Sequence, residues 1–457
     1  MTTWHVPRES HQRLCEGMLK YSLGVDCLSA SARERQDTGK FGERRIMIFD
    51  SESVFEENVI TVLKQHGWKD GVLRYPTERD LLDNWKDILY RNNNDIDRLG
   101  KYPLTDGEMT QIIEQIETLR TPLALNSFVN GRTVSITRDN KEDVAHFGKE
   151  VSLYIYDRKE IAGGKSTYQI AQQPVYPAKN KMLNSRRGDL VLLINGMPLI
   201  HIELKKSGIP VSQATNQIEK YAHEGVFTGL FRLVQIFVAM NPDDAVYFAN
   251  PGVDKFNPSY YFHWADYNNE PICGGQNPGK DEWKLFIGGT SGTAGLLSIP
   301  MAHQLIGFYT IADSADGCLK VLRSYQYIAA NAISDVVRKC DWEQRPTTPG
   351  RPGGYVWHTT GSGKTMTSFK SAQLIADSHD ADKVVFLMDR IELGTQSLKE
   401  YRSFADSETE VQGTENTGVL RDKLNSTNVN DTLIVTSIQK MSNVKAGERG
   451  VTQTWLD

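Results

Sequence analysis

The sequence has few cysteines, no long apolar run and no excess of positive charge. Its five cysteines form no Cys-x-x-Cys pair, which argues against a zinc ribbon and favours a reducing, cytoplasmic environment. No apolar stretch approaches the roughly 18 residues that a membrane-spanning helix needs, so we expect no contact with a membrane. The formal net charge of -5 excludes a protein that is covered in basic surface.

What the chain does contain is enough apolar sequence for several folded domains. Its 457 residues correspond to about three domains by length alone. A hydrophobic content of 39% and a charged content of 24% are ordinary values for a globular protein. The function must therefore be sought in local motifs, because the composition favours no particular class of enzyme or binding protein.

The most informative segment predicts a β-hairpin that carries two carboxylates and a lysine. Asp189 precedes the apolar run Leu190–Ile194, which is typical of a buried strand, and Asn195–Gly196 is a strong turn signal. From residue 199 onward apolar and polar residues alternate, which places Glu203 and Lys205 on the same face of the return strand.

The length of the hairpin loop decides whether the two acids meet. A three-residue loop, 195–197, would place Asp189 opposite Glu203, on the face that also carries His201. A two-residue loop would place Asp189 opposite Ile202, on the apolar face. We therefore predict the three-residue loop.

An Asp and a Glu at this distance supply the hard oxygen ligands that Mg²⁺ prefers, and Mg²⁺ usually needs only one or two of them. Asp189 and Glu203 are therefore candidate metal ligands, and Lys205 would assist an attacking water or neutralise a scissile phosphate. This pattern indicates hydrolysis of a phosphodiester. The residues alone leave the alternative open, because Glu-x-Lys is also common on exposed strands.

The stretch from Asn184 to Lys205 resembles the PD-(D/E)xK nuclease signature found in the restriction subunit of type I restriction-modification enzymes. In that family a Gln-x-x-x-Tyr element follows the Glu-x-Lys strand, and this role falls here on Gln217 and Tyr221. Their spacing alone predicts only that they share one helical face.

A nuclease of this fold often contributes a further acid from its first helix. Residues 51–68 have the apolar spacing of an amphipathic helix. Glu56 lies on the apolar face of that helix, where an unpaired acid is uncommon. We take Glu56 as the candidate, with Glu52 and Glu57 as rivals and a solvated helix charge as the alternative.

A second segment, 353–365, predicts a phosphate-binding loop. Tyr355–Trp357 favours a short buried strand, and the residues after Lys364 favour a helix up to Ala376. The backbone around Gly361, Ser362 and Gly363 would wrap a phosphate. Lys364 would contact the terminal phosphates and Thr365 would bind Mg²⁺.

His358 replaces the first glycine of the general phosphate-loop pattern. The segment that begins at Thr360 nevertheless resembles the superfamily 2 helicase version, in which that glycine is not required. The resemblance implies that Gln326 reads adenine, so ATP is the expected nucleotide. Apolar strands at 384–388 and 433–435 lead into segments that resemble DNA-contacting motifs of the first motor lobe.

No acidic helicase motif and no second lobe follow before residue 457. We expect a fragment that by itself lacks ATPase activity, because a motor needs an acid for Mg²⁺ and catalytic charge from its second lobe.

Together these patterns predict an α/β protein with a PD-(D/E)xK nuclease domain and an incomplete RecA-like lobe. We expect a weakly ordered extension at 1–45, the nuclease at 46–265, a linker at 266–294 and the motor lobe at 295–457. The resemblance implies a cytoplasmic type I restriction subunit that cuts and translocates double-stranded DNA. It would work with modification and specificity subunits, using Mg²⁺ and ATP.

Two other functions stay open at this point. One is a different fusion of nuclease and helicase, for example in DNA repair, and the other is a DNA-binding scaffold without catalysis. In each case DNA needs a local basic groove, for which the candidate residues lie close in sequence: Lys179, Lys181, Arg186, Arg187, Lys205 and Lys206. A solvated loop is the alternative interpretation of this charge run. No part of the sequence predicts which DNA bases would be recognised.

Overall fold

The computed structural model describes residues 49–161, 163–177, 185–253, 255–277, 280–339, 354–389, 391–407 and 410–444. They form a mixed α/β structure, which confirms the expected fold class at that level. The expected extension at 1–45 and the basic residues Lys179 and Lys181 lie outside the described residues. In the described part of the chain, no helix is both long and apolar enough to cross a membrane.

The helices follow their local sequence signals. Ser51 caps the first one, and Thr77 and Thr105 form capping boxes at the second and third, because each threonine side chain accepts a backbone N–H of the first turn. The α-helices are α1 (Glu52–Gln65), α2 (Glu78–Asn92), α3 (Asp106–Thr118), α4 (Pro122–Asn130), α5 (Val211–His223), α6 (Glu282–Gly288), α7 (Met301–Gly307), α8 (Ser324–Lys339), α9 (Lys364–Ser378), α10 (Ile391–Phe404), α11 (Thr417–Asn425) and α12 (Ile438–Ser442).

The strands form one large sheet and several small ones. They are β1 (Val72–Arg74), β2 (Thr133–Thr137), β3 (Glu150–Tyr154), β4 (Tyr168–Gln172), β5 (Val175–Tyr176), β6 (Arg186–Arg187), β7 (Leu190–Ile194), β8 (Met197–Leu204), β9 (Ile236–Met240), β10 (Ala245–Ala249), β11 (Thr310–Asp313), β12 (Cys318–Val321), β13 (Val384–Met388), β14 (Val411–Gly413) and β15 (Leu433–Ser437). The large sheet has the order β1-β4-β7-β8-β9-β10.

The large sheet is mixed, and its centre is buried on both faces. Strand β8 pairs antiparallel with β7 and parallel with β9. Every residue of β7, β8 and β9 is buried. The polar face of the return strand is therefore enclosed too, so Glu203 lies inside the protein rather than on an exposed strand.

The hairpin between β7 and β8 has a two-residue turn, so the predicted three-residue loop is wrong. Asn195 and Gly196 both have positive φ, and Ile194 pairs directly with Met197. The register shifts by one residue beside Leu192 and Leu193, which is a β-bulge. On the side of the bulge away from the turn, the residues pair as we expected. The residue that we had assigned to the loop lies in the return strand instead.

The second sheet is fully parallel and lies near the phosphate-loop segment. Its order is β13-β15-β14, with Val384 paired to Leu433. The predicted strand Tyr355–Trp357 is absent, and the three side chains are exposed. No described strand pairs with these three residues, so their backbone groups gain no ladder hydrogen bonds.

The segment that we expected to be a linker contributes to the main hydrophobic core. Trp283 of α6 is fully buried and packs edge-on against Phe49 and Phe55. The indole N–H of Trp68 donates to the carbonyl of Leu297 at 2.6 Å. The same core continues as far as Leu322. The domain limits stay predictions, but the apolar packing continues across residues 265 and 295.

Candidate functional sites

Asp189 and Glu203 lie side by side where the hairpin opens. Leu190 pairs with Ile202, so one residue further from the turn Asp189 lies opposite Glu203. Asp189 Oδ2 accepts the backbone N–H of Leu204 at 2.6 Å, which fixes this carboxylate. Glu203 is fully buried, and neither of its carboxylate oxygens has a hydrogen-bond partner.

Burial raises the pKa of both carboxyl groups, and the repulsion between their charges raises the pKa of Asp189 further. Lys205 acts in the opposite direction, because its ammonium favours the ionised carboxylates. Its Nζ lies 3.7 Å from Glu203 Oε1 and 3.6 Å from Glu52 Oε1. It donates to the carbonyl of Leu204 at 2.8 Å.

These groups fit a divalent cation by one specific criterion. Buried polar atoms in proteins are nearly always paired, whereas the two oxygens of buried Glu203 accept no hydrogen bond and the Lys205 ammonium is 3.7 Å away. Within the described ranges, no three His, Cys, Asp or Glu side chains converge as a complete ligand set. Mg²⁺ does not require one, since it usually keeps several waters.

The three acids of helix α1 have different surroundings. Glu56 is buried, and its carboxylate accepts from Gln172 at 2.5 Å and from Gln173 at 3.2 Å. Burial raises the pKa of Glu56, and the charge of nearby Asp189 adds to this effect. Glu52 faces Lys205, whereas Glu57 forms an ion pair with Arg74 at 2.6 Å and accepts from the Gln172 amide at 3.0 Å.

Gln217 and Tyr221 adjoin the carboxylates through the strand that precedes them. Gln217 Nε2 donates to the Tyr221 hydroxyl at 2.7 Å, and this hydroxyl donates to the carbonyl of Arg187 at 2.8 Å. Burial and the charge of Glu203 raise the pKa of Tyr221. An open cavity of about 350 Å³ lies beside this pair, lined by Arg186, Gln213, Asn216, Gln217, Lys220 and Tyr221.

The described members of the predicted basic groove differ in charge compensation. Arg186 is neutralised by Glu224, with two bonds of 2.8 and 2.9 Å. Arg187 is exposed, and Lys206 donates to the backbone carbonyl of Asp50 at 3.3 Å. Arg187 and Lys206 therefore keep charge that no carboxylate in the described ion pairs neutralises.

The loop before helix α9 has the backbone form expected for phosphate binding. Gly361 and Gly363 have φ values of 78° and 82°, and Gly363 stands at the N-cap of the helix. Such positive values suit glycine. Lys364 Nζ donates to the Thr359 carbonyl at 3.0 Å. In this arrangement the lysine folds over the loop, so it must turn outward to contact a phosphate.

The remaining loop residues lie at the surface or on the first turn of α9. Thr360 is exposed and Thr365 is half-buried. The Ser362 hydroxyl is 3.0 Å from Nδ1 of His358, the residue that replaces the first glycine of the pattern. These positions leave the loop open toward solvent.

Gln326 is buried against this loop. Its amide nitrogen donates to the carbonyl of Gly363 at 3.3 Å, and its amide oxygen accepts the backbone N–H of Arg323 at 3.0 Å. A cavity of about 170 Å³ adjoins it, and aromatic and glycine residues line much of its wall, among them Phe248, Tyr261, Phe262, Gly361 and Gly363. The volume and aromatic walls suit a flat ring such as a nucleobase.

Several residues near the carboxylates could not be identified from the sequence. Gln172 and Gln173 donate hydrogen bonds to Glu56, from which they are more than a hundred residues away in the sequence. Tyr176 and His201 form a buried pair at 2.9 Å, and burial lowers the pKa of His201 to about 4. The alternating pattern placed His201 on the face of Glu203, and this was the only signal for any of the four.

Comparison with known proteins gives matches to two family models along the chain. Residues 50–256 match the family model described as type I restriction enzyme R protein N terminus, and residues 325–454 match the SWI2/SNF2 ATPase model. The two matches cover the two sheets in turn. The expected domain limits stay predictions.

Curated relatives carry the same description. The endonuclease subunit of a type I restriction enzyme from Staphylococcus saprophyticus is 32% identical over 404 residues, which are 87% of this chain and 37% of that protein. One from Staphylococcus aureus strain MSSA476 is 33% identical over 403 residues, 88% of this chain and 38% of that protein. The EcoprrI endonuclease subunit of Escherichia coli is 29% identical over 217 residues, 46% of this chain and 62% of that protein.

The expected resemblance is thereby confirmed: the chain is related in sequence to the endonuclease (R) subunits of type I restriction enzymes. It spans just over a third of the length of the staphylococcal relatives.

Proposed function

We propose that this chain forms the nuclease domain and the first motor lobe of a type I restriction endonuclease subunit. The whole subunit would cut double-stranded DNA in a Mg²⁺-dependent reaction and translocate DNA with ATP. The observation that carries the proposal is the Asp189–Glu203 pair, in which Glu203 is buried and has two oxygens without a hydrogen bond next to Lys205. A stable protein without a ligand rarely keeps such a group.

The roles of the nuclease residues follow from their positions. Asp189 and Glu203 would hold Mg²⁺, which supplies a Lewis acid for the scissile phosphate when it is bound. Lys205 would orient the attacking water or neutralise charge on that phosphate. Gln217 and Tyr221 would hold the approach to β7, since the tyrosine hydroxyl donates to the carbonyl of Arg187 at the end of β6, two residues before Asp189.

Glu56 would complete this nuclease site. It is buried on helix α1 and accepts a hydrogen bond from Gln172, and the charge of Asp189 is near enough to raise its pKa. The specific folds belong to the same proposal: a PD-(D/E)xK domain around the large sheet, within residues 46–265, and an incomplete RecA-like lobe around the parallel sheet, within 295–457.

ATP would bind at the loop before α9. The N–H groups of residues 360–363 would contact the phosphates, Lys364 the terminal phosphates and Thr365 the accompanying Mg²⁺. Gln326 would lie at the base side, next to the aromatic cavity.

The partners would be double-stranded DNA and the modification and specificity subunits of the same system, in the cytoplasm. A DNA-repair nuclease-helicase would need neither of these subunits. Association with them in a pull-down of the purified components therefore separates the two functions, and failure to associate would favour the repair enzyme.

The nuclease role is tested by Mg²⁺-dependent DNA cleavage by the complete enzyme assembled with both partner subunits. We expect Asp189→Asn, Glu203→Gln or Lys205→Ala to abolish cleavage while ATP-driven translocation persists. Glu142→Gln is the matched control, because Glu142 is exposed. Undiminished cleavage by the first three variants would refute the nuclease site and leave a non-catalytic scaffold.

A further inference from the structure

His201 is a fully buried histidine directly beside the proposed metal ligand. It precedes Glu203 by two residues on β8, so both side chains lie on one face of the strand. Its Nδ1 is 2.9 Å from the Tyr176 hydroxyl, and its Nε2 is 3.3 Å from Glu203 Oε2. None of the roles described above uses this side chain.

The facing atoms of His201 and Glu203 are both unpaired. Nε2 of His201 and both carboxylate oxygens of Glu203 are buried and have no hydrogen-bond partner. Although 3.3 Å is within reach, the angles do not make a hydrogen bond in this state. A small rotation of the carboxylate would satisfy one donor and one acceptor together, which makes this pairing more favourable than leaving both unpaired.

We propose that His201 is a positioning residue that donates its Nε2–H to Glu203 and thereby sets the orientation in which this carboxylate binds a divalent cation. Tyr176 fixes the imidazole tautomer by donating its hydroxyl to Nδ1. The inference rests on the proposed metal role of Glu203.

The choice of tautomer follows from the two neighbours. A metal ligand must be an ionised carboxylate, which can only accept, so the nitrogen that faces it must carry the proton. The other nitrogen is then an acceptor, and the Tyr176 hydroxyl is the donor within reach. Partners of this kind orient ligands at many metal sites.

The ring is also held in place by close packing. Tyr221, Phe227 and Phe237 surround it with ring centroids 5.5 to 6.3 Å away. A Cβ on Gly188 would lie 2.9 Å from Cε1 of His201, so the residue before Asp189 passes directly over the imidazole. The imidazole therefore has little freedom to turn away from Glu203.

The test compares two substitutions of His201, by glutamine and by asparagine, whose side-chain amides place an N–H donor at different distances from the backbone. In His201→Gln the amide nitrogen reaches about as far as Nε2, whereas in His201→Asn it reaches only as far as Nδ1. We expect binding of Mn²⁺, measured without nucleotide or DNA by electron paramagnetic resonance, to weaken by roughly tenfold or more in His201→Asn. His201→Gln should stay close to the unsubstituted chain.

His303 offers a matched control. It is also buried, with Nδ1 2.8 Å from the Tyr168 hydroxyl, but its Nε2 meets the carbonyl of Asp157 rather than a carboxylate. His303→Asn should affect stability without changing Mn²⁺ affinity. If His201→Asn does not fold, Tyr176→Phe removes the proposed tautomer lock with little change in volume, and it should also weaken Mn²⁺ binding.

A second readout concerns the tautomer itself. In the Mn²⁺-free chain with Ca²⁺ bound, ¹⁵N spectra of labelled histidine should show the proton of His201 on Nε2, with the signal identified by its loss in the glutamine variant. A proton on Nδ1 would overturn the inference.

The outcomes separate the two proposals. If Glu203→Gln abolishes Mn²⁺ binding but His201→Asn and Tyr176→Phe bind like the unsubstituted chain, His201 has no positioning role and the metal site stands. If Mn²⁺ binding does not depend on Glu203 at all, the proposed metal site fails, and the inference about His201 fails with it.

Discussion

Replacing Glu203 by glutamine should stabilise the metal-free protein even though it removes a proposed catalytic group. The glutamate is fully buried with two unpaired oxygens, so its charge has lost water without gaining a hydrogen-bond partner. Glutamine keeps the shape and removes the charge. At this position the residue that the proposed activity needs is therefore less stabilising, without metal, than its uncharged replacement.

The size of the effect can be worked from the burial. The desolvation penalty of a buried ion is several kcal/mol, and Lys205 at 3.7 Å offsets part of it. We take about 3 kcal/mol as the net gain. The compact unit 46–457 has roughly 410 residues, and unfolding entropy of about 2.1 cal/mol/K per residue converts this gain into a rise of roughly 3 °C in Tm.

The pH dependence has a definite sign. The pKa of Glu203 is raised in the folded protein above its ordinary value of 4.5. The folded state therefore binds the proton more tightly, and the unsubstituted chain loses stability as pH rises from about 4.5 through the raised pKa. Glu203→Gln lacks this loss at that position, so its advantage should be largest near pH 8 and shrink toward pH 4.5.

Scanning calorimetry in a metal chelator at pH 8 and pH 5 measures this difference, with Glu142→Gln as the control for removal of an exposed acid. Added Mg²⁺ should reverse the order once it is near saturation, since a ligand at 1,000 times its Kd stabilises the chain that binds it by about 4.1 kcal/mol. A Tm of Glu203→Gln that is equal or lower at pH 8 without metal would refute the argument that Lys205 compensates the buried charge only in part.

Three further substitutions have expected outcomes. Lys364→Ala should weaken ATP binding by roughly tenfold or more, because it removes the charge-assisted contact to phosphate; equilibrium binding of a fluorescent ATP analogue checks this, and unchanged affinity would contradict the proposed loop. Gly188→Ala should destabilise the protein by about 1–3 kcal/mol, since its Cβ would lie 2.6 Å from the Tyr176 hydroxyl; urea unfolding measures it, and wild-type stability would mean that the strand can shift freely. Arg138→Met should cost about 3–5 kcal/mol, because it removes the guanidinium that neutralises two buried acids, Glu108 and Asp143; an unchanged unfolding midpoint would show that their remaining hydrogen bonds suffice.

The elements that the sequence predicts well are those whose signals are local. The helix expected within residues 51–68 is observed at Glu52–Gln65 with its serine cap. The strands Leu190–Ile194 and Val384–Met388 have the bounds that their apolar runs indicated. In each case a few neighbouring residues contain the whole signal.

The hairpin shows where such reasoning stops. Its facing acids were expected, but the loop was wrong because a β-bulge supplies the extra residue. A bulge depends on the partner strand and leaves no clear mark in the pattern. The strand expected at Tyr355–Trp357 failed for a similar reason, since apolar side chains favour a strand only where a neighbouring edge accepts it.

The surroundings of the acids depend on contacts between distant segments. Glu56 meets Gln172 across 116 residues, and His201 meets Tyr176 across 25. No periodicity contains such information. The sequence could nominate Glu56 because an acid on an apolar face is uncommon, but it could not supply the glutamines that hold it.

The continuous core has a practical consequence for anyone who wishes to express the nuclease part separately. A chain cut after residue 265 would lose Trp283 and the carbonyl of Leu297 that Trp68 bonds, and it would expose the aromatic surface around Phe55 to water. A cut beyond Leu322, the last fully enclosed residue of that core, would keep these partners together, although Tyr327, which packs against the same core, would be lost unless helix α8 is kept as well. The smallest independently folding piece is thus set by where the buried tryptophans find their neighbours, not by where the catalytic motif stops.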